Sequence, residues 1–141
     1  MNSNSDNPRI GKEFQRMVLA YAKEHFSQDF IEEKPVDIGT PPTPHKFDVV
    51  STDESIIIEC KCYTWTEGGN VPSAKLATLD EAVLYMKSIC HPAKKIIAMK
   101  AAENNGVSLA EYFCDKKGHL LGDISVWEFD DNGYLRSVRE A

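Results

Sequence analysis

Ser55-Ile56-Ile57-Ile58-Glu59-Cys60-Lys61-Cys62-Tyr63 reads as one β-strand. Three isoleucines followed by cysteine and tyrosine suit a pleated surface buried on at least one face. Glu59 and Lys61 nevertheless stand in its middle. Residues two apart in a strand project to the same side, so the two charges lie side by side, roughly 6–7 Å apart. Ile58, Cys60 and Cys62 take the other side. A charge withdrawn from water needs a partner, an ion or a cleft open to solvent. Two readings fit: a Glu–Lys pair at a sheet edge, or half of a metal-dependent active site.

Working upstream, Thr52-Asp53-Glu54 is a tight polar turn and Lys46 to Ser51 a short strand, so the two strands are expected to form an antiparallel hairpin. Thr40-Pro41-Pro42-Thr43-Pro44 reads as a rigid extended loop, neither helix nor central strand. Phe30 to Ile38 is a first strand. From Pro8 to Phe26, Ile10, Phe14, Met17, Val18 and Tyr21 recur at helical spacing and make one apolar stripe. Glu13 falls about 80° from the centre of that stripe, on its border. Met1 to Asn7 is a polar tail, expected to be disordered.

Downstream, Thr64 to Asn70 is a glycine-containing loop, and a helix is expected from Pro72 or Ser73. Leu76, Leu79, Val83, Met86 and Cys90 mark its buried stripe. His91-Pro92 stops it, and Lys95 to Met99 is a short apolar strand. Ser108 and Glu111 predict a capping box for a third helix that Gly118 closes. Asp123 to Phe129 is a further strand, and Asn132-Gly133 predicts a type I′ turn that pairs Tyr134 to Val138 back against it. The fold class is α/β, with an αβββαβ core whose mixed sheet is flanked by helices. A C-terminal helix and a strand or hairpin are appended. The third and fourth strands, joined through a helix, are expected to be parallel. Residues 8–141 read as one domain, with no linker or internal repeat.

The 141 residues are 42% hydrophobic and 27% charged, ordinary for a globular chain with a single core. The 22 acidic residues against 16 basic give a net charge of -6, which argues against coating nucleic acid through bulk charge. A local basic surface or a bound cation would still engage phosphate. No apolar run approaches a membrane span and no hydrophobic signal region opens the chain, so the expected compartment is the cytoplasm. Cys60, Cys62, Cys90 and Cys114 form no C-x-x-C pair, and reduced, buried thiols are expected in preference to a zinc site.

If the hairpin closes as read, Asp48 comes near Glu59, and Glu13 approaches from the first helix. Carboxylates gathered this closely call for a cation. Oxygen-only ligands favour a hard ion, Mg²⁺ first and Mn²⁺ as a substitute. An ion with open positions suits hydrolysis of a phosphodiester, and Lys61 beside it would stabilise the charged transition state or help deprotonate the attacking water.

Asp48, the Glu59-Cys60-Lys61 triplet and the αβββαβ order around them resemble the PD-(D/E)xK nuclease superfamily, the restriction-endonuclease-like fold. Asp48 looks like its first acidic residue, Glu59-Cys60-Lys61 like its (D/E)-x-K, and Glu13 matches the first-helix glutamate of some members. Phe47 stands where the motif has proline. The resemblance covers roughly residues 8–99. It implies a Mg²⁺-dependent nuclease, with DNA the expected nucleic acid. Asp48, Glu59 and the Cys60 carbonyl would ligate the metal, and Lys61 would act as base or phosphate stabiliser. Double-strand cleavage would call for two copies, most simply a homodimer. The superfamily also has members without catalysis, so the alternative is a silent nucleic-acid-binding or protein-interaction module. A third reading is a structural Glu–Lys pair in an unrelated α/β domain.

Lys75, in the first turn of the second helix, is a candidate phosphate contact. Tyr63 and Trp65 are candidates for base stacking, with anchoring in core or loop the competing role. His45 and His91, both beside prolines, read as surface turn residues. Lys94-Lys95 and Lys116-Lys117 read as solvated faces.

Overall fold

The computed structural model describes residues 8–141, so the tail read at Met1–Asn7 lies outside the described residues. Helix α1 (Pro8–Phe26) begins on a proline, whose missing N–H costs nothing in a first turn, and buries Phe14, Gln15, Val18 and Ala22. Strands β1 (Phe30–Ile38), β2 (Thr43–Ser51) and β3 (Ile56–Lys61) follow, then α2 (Ser73–Lys87) and β4 (Lys94–Lys100). A two-residue-per-strand hairpin, β5 (Glu103–Asn104) and β6 (Val107–Ser108), leads into α3 (Leu109–Leu121), β7 (Ile124–Phe129) and β8 (Leu135–Arg139).

Six strands form one mixed sheet in the order β1-β2-β3-β4-β7-β8. β1–β2, β2–β3 and β7–β8 are antiparallel, whereas β3–β4 and β4–β7 are parallel. The α/β class, the αβββαβ order and the C-terminal helix with its pairing strand are therefore as the sequence predicts. α1 covers one face over Val49, Ile58, Ile96 and Trp127. α2 and α3 cover the other over Val50, Ile57, Ile97 and Val126. Ile57 and Ile58 are both fully buried, one on each face, each contributing roughly 1.5–3 kcal/mol and fixing β3 as a central strand. No helix among the described residues is long and apolar enough to cross a membrane.

Several local expectations are corrected. Thr43 and Pro44 belong to β2 rather than to the loop. β2 pairs with β3 only at Val49 and Val50, so its early part has an open side where a missing N–H breaks no ladder. Pro35 sits in β1, the edge strand, for the same reason. Helix α3 runs through Gly118 to Leu121, because Leu121 is fully buried and Gly122, at φ 58, makes the turn out of the helix. The Ser108–Glu111 capping box is present in both directions, at 3.1 and 3.0 Å. Cys90 lies beyond α2 and is exposed; Ile89 takes the buried position. The other three thiols are half-buried, and all four are free. His45 lies within β2 and its ring meets Tyr85 at 4.0 Å between centroids, while half-buried His91 contacts the Glu54 carbonyl at 2.7 Å. Lys95 is buried against Asp123. Lys94 and Lys117 pair with Glu140 and Asp80, and Lys116 lies over Tyr112, so these lysines are not simply solvated.

Candidate active site

The face alternation of β1 and β2 breaks at one level. Phe30 packs under α1, whereas Val36, six residues on and so expected on the same side, packs under α2. Val49 and Phe47, two apart, are divided the same way. The break falls at Glu33, whose φ is 52, and at Asp48 across from it. By regular alternation from Val50, Asp48 would face α2. The kink turns it into a cleft beneath α1.

At the same level β2 and β3 stop pairing through their backbones. The ladder ends at Val49↔Ile58, and the next two bonds are made by carboxylates. The Asp48 N–H donates to Glu59 Oε1 at 3.2 Å, and the Cys60 N–H donates to Asp48 Oδ2 at 2.8 Å. The two acids are thus interleaved across the splayed end of a hairpin. Glu59 is half-buried, and burial followed by the Asp48 charge pushes its carboxyl up to about 8, with Lys61 opposing. Near neutral pH the pair therefore holds a proton. Burial, then Asp48 and Glu59, push the Cys60 thiol well above the usual range, so Cys60 offers a carbonyl rather than a thiolate.

Beside the pair lies a cleft of about 310 Å³, lined by Asp48, Cys60, Lys61 and Tyr63 on the sheet side and by Lys12 and Gln15 on the helix side; Glu59 is not part of its lining. Lys61 Nζ lies 5.9 Å from the centroid of Tyr63, and Lys75 Nζ lies 5.7 Å from the same ring. The Tyr63 hydroxyl contacts Thr78. Trp65 is an anchor instead: its Nε1 donates to the Ala102 carbonyl at 2.8 Å and its ring packs edge-on against Tyr112.

Of the residues read from sequence, Asp48, Glu59, Cys60 and Lys61 come together, and Lys75 joins them through Tyr63. Glu13 does not. Its side chain is 59% exposed, pairs with Arg9 one turn earlier at 3.3 Å, and lines a separate depression with Lys100 and Asp131. Among the described residues no three His, Cys, Asp or Glu side chains gather into a metal-holding group, so the expected carboxylate triad is a pair. The reason is helical phase. At 100° per residue Glu13 lies about 160° from Gln15, and Gln15 is the residue turned into the sheet.

Lys12, Gln15 and Glu32 are the site residues that sequence reading missed. Gln15 Nε2 donates to Glu32 Oε1 at 3.0 Å, and Lys12 pairs with Glu33. No sequence signal marked Gln15, which lies about 115° from the centre of the apolar stripe at 100° per residue; the buried face is shifted toward Val18 and Ala22. A cation would find oxygen donors only: two carboxylates and the Cys60 carbonyl. That set fits Mg²⁺, which is commonly held by one or two carboxylates while retaining waters. No family model, no curated protein and no solved structure matches this chain.

Proposed function

We propose that this chain is a Mg²⁺-dependent nuclease that hydrolyses phosphodiester bonds in nucleic acid, DNA being the expected substrate, as the resemblance to the PD-(D/E)xK superfamily implies. The observation that carries the reading is the Asp48–Glu59 pair. The two acids are interleaved at the splayed end of the hairpin, Asp48 lines the cleft, and Lys61 is the cation that opposes the Glu59 charge. An arrangement that favours a retained proton also favours its exchange for a cation.

Asp48 and Glu59 would hold the ion with the Cys60 carbonyl. Their bonds to the Asp48 and Cys60 N–H groups fix both side chains before any ligand arrives. A bound Mg²⁺ supplies a water of lowered pKa and neutralises charge on the phosphate. Lys61 places an ammonium at the cleft wall, where it offsets charge that develops on the phosphate oxygens. Lys75, across Tyr63, is suited to the next phosphate along the strand.

A silent nucleic-acid-binding module is the second reading, and the convergence of only two carboxylates favours it. Purified protein incubated with plasmid, branched and single-stranded DNA and with RNA, in Mg²⁺ or Mn²⁺, separates the two. Cleavage is expected, and Glu59→Gln or Lys61→Ala should lower it by at least ~10²-fold. A wild type that binds these substrates without cutting any of them establishes the module. Absence of both binding and cation-dependent stabilisation in thermal melts leaves a structural pair.

A further inference from the structure

The helix wall of the cleft carries a cation that the reading above does not use. Lys12 and Gln15 are three residues apart and so share one side of α1. Buried Gln15, bonded to Glu32, sets the rotation of the helix over β1. That rotation brings Lys12 to the cleft, on the wall facing Lys61, with Asp48 also lining it. Glu33, then Glu32 and Asp48, hold Lys12 above the usual lysine range, so it stays charged. Its partner Glu33 sits at the φ 52 kink, and the two side chains are 49% and 47% exposed.

We infer that Lys12 is a second phosphate-contacting cation of this cleft, meeting the backbone of a nucleic-acid strand from the helix wall while Lys61 meets it from the strand wall. The inference rests on the nuclease reading and adds a course for the substrate, between α1 and β3 and on toward Lys75. An ammonium has three donors, so a contact to Glu33 leaves capacity for phosphate oxygens. The flexible stem of a half-exposed lysine can leave a solvated pair without disturbing the core.

The competing role is a surface tie between α1 and β1, and the two make opposite predictions for Glu33. Binding of a fluorescent branched DNA, with Ca²⁺ replacing Mg²⁺, is measured across a salt series for the wild type, Lys12→Met, Lys12→Arg and Glu33→Gln. Lys12→Met should weaken binding at least tenfold and reduce the slope of log affinity against log salt by about 0.9, the value of one duplex phosphate contact. Lys12→Arg should restore most of the affinity, and Glu33→Gln should bind at least as tightly as the wild type. Lys12→Gln, which keeps a hydrogen bond toward Glu33, carries the same expectation as Lys12→Met should the latter not fold. Equal losses in Lys12→Met and Glu33→Gln, or wild-type binding by Lys12→Met, overturn the inference while a wild type that cleaves keeps the nuclease reading. A wild type that neither binds nor cleaves overturns both.

Discussion

Glu59 and Glu128 stand in the same sheet with only β4 between their strands, and each follows an apolar run toward the end of a parallel strand. Each also has a charged residue facing it from an antiparallel neighbour. For Glu128 that residue is its register partner Arg136, whose Nη2 and Nε reach Glu128 Oε2 at 2.8 and 3.0 Å. For Glu59 it is Asp48. The chain supplies a cation for one buried carboxylate and a second anion for the other. The first arrangement is complete as folded, apart from Glu128 Oε1, which is buried without a hydrogen-bond partner among the described residues. The second is relieved by a retained proton or a cation, and that is the contrast on which the proposed function rests.

The largest effect expected from breaking this contrast is a pH dependence that only the Glu59 side produces. An unfolded glutamate ionises near 4.5, whereas folded Glu59 keeps its proton to about 8. Stability contributed by this group is therefore complete below pH 4.5 and is lost as pH rises through about 8, a loss on the order of 3–5 kcal/mol without cation. Urea unfolding in chelator across that range should show the decline, and Glu59→Gln should flatten it. A pH-independent wild type removes the electrostatic case for the pair.

Cutting the other arrangement should work in the opposite direction. Arg136→Met leaves Glu128 buried without its cation, and about 2–3 kcal/mol should be lost, less than for a fully buried pair because Arg136 is half exposed. Glu59→Gln in the same chelator should melt at or above the wild-type temperature at neutral pH. Two equal drops would place both glutamates in structural pairs. The smallest effect belongs to Glu13→Gln. With its carboxylate exposed and paired to Arg9, the change should alter cleavage less than about twofold and stability by well under 1 kcal/mol. A loss as large as that of Glu59→Gln would return Glu13 to the site.

The two Asn-Gly dipeptides show where local reading reaches its limit. Asn132-Gly133 was expected to form the type I′ turn, yet only Gly133 has positive φ. The Asp130 carboxylate accepts from the Asn132 and Tyr134 N–H groups, Gly133 N–H bonds to the Asp130 carbonyl, and the result is a longer turn closed by Gly133. Asn105-Gly106, which went unread, has φ 52 and 80 and joins β5 to β6 in a two-residue hairpin. The dipeptide is the same; the flanking aspartate decides.

Sequence by itself determined the order of elements (apart from the short β5–β6 hairpin), the capping box and the opposition of Asp48 to Glu59. Each follows from neighbours along the chain: a period of two, a side chain three residues away, a short turn between two strands. Tertiary structure alone decided which α1 residues join the pair. A helix carries Lys12, Glu13 and Gln15 at three bearings, and the packing of Phe14, Val18 and Ala22 against the sheet, with the Gln15–Glu32 bond, sets its rotation. The direction of Asp48 was equally illegible, since the kink at Glu33 and the splay of β2 from β3 come from two strands bending together, and no single stretch encodes that.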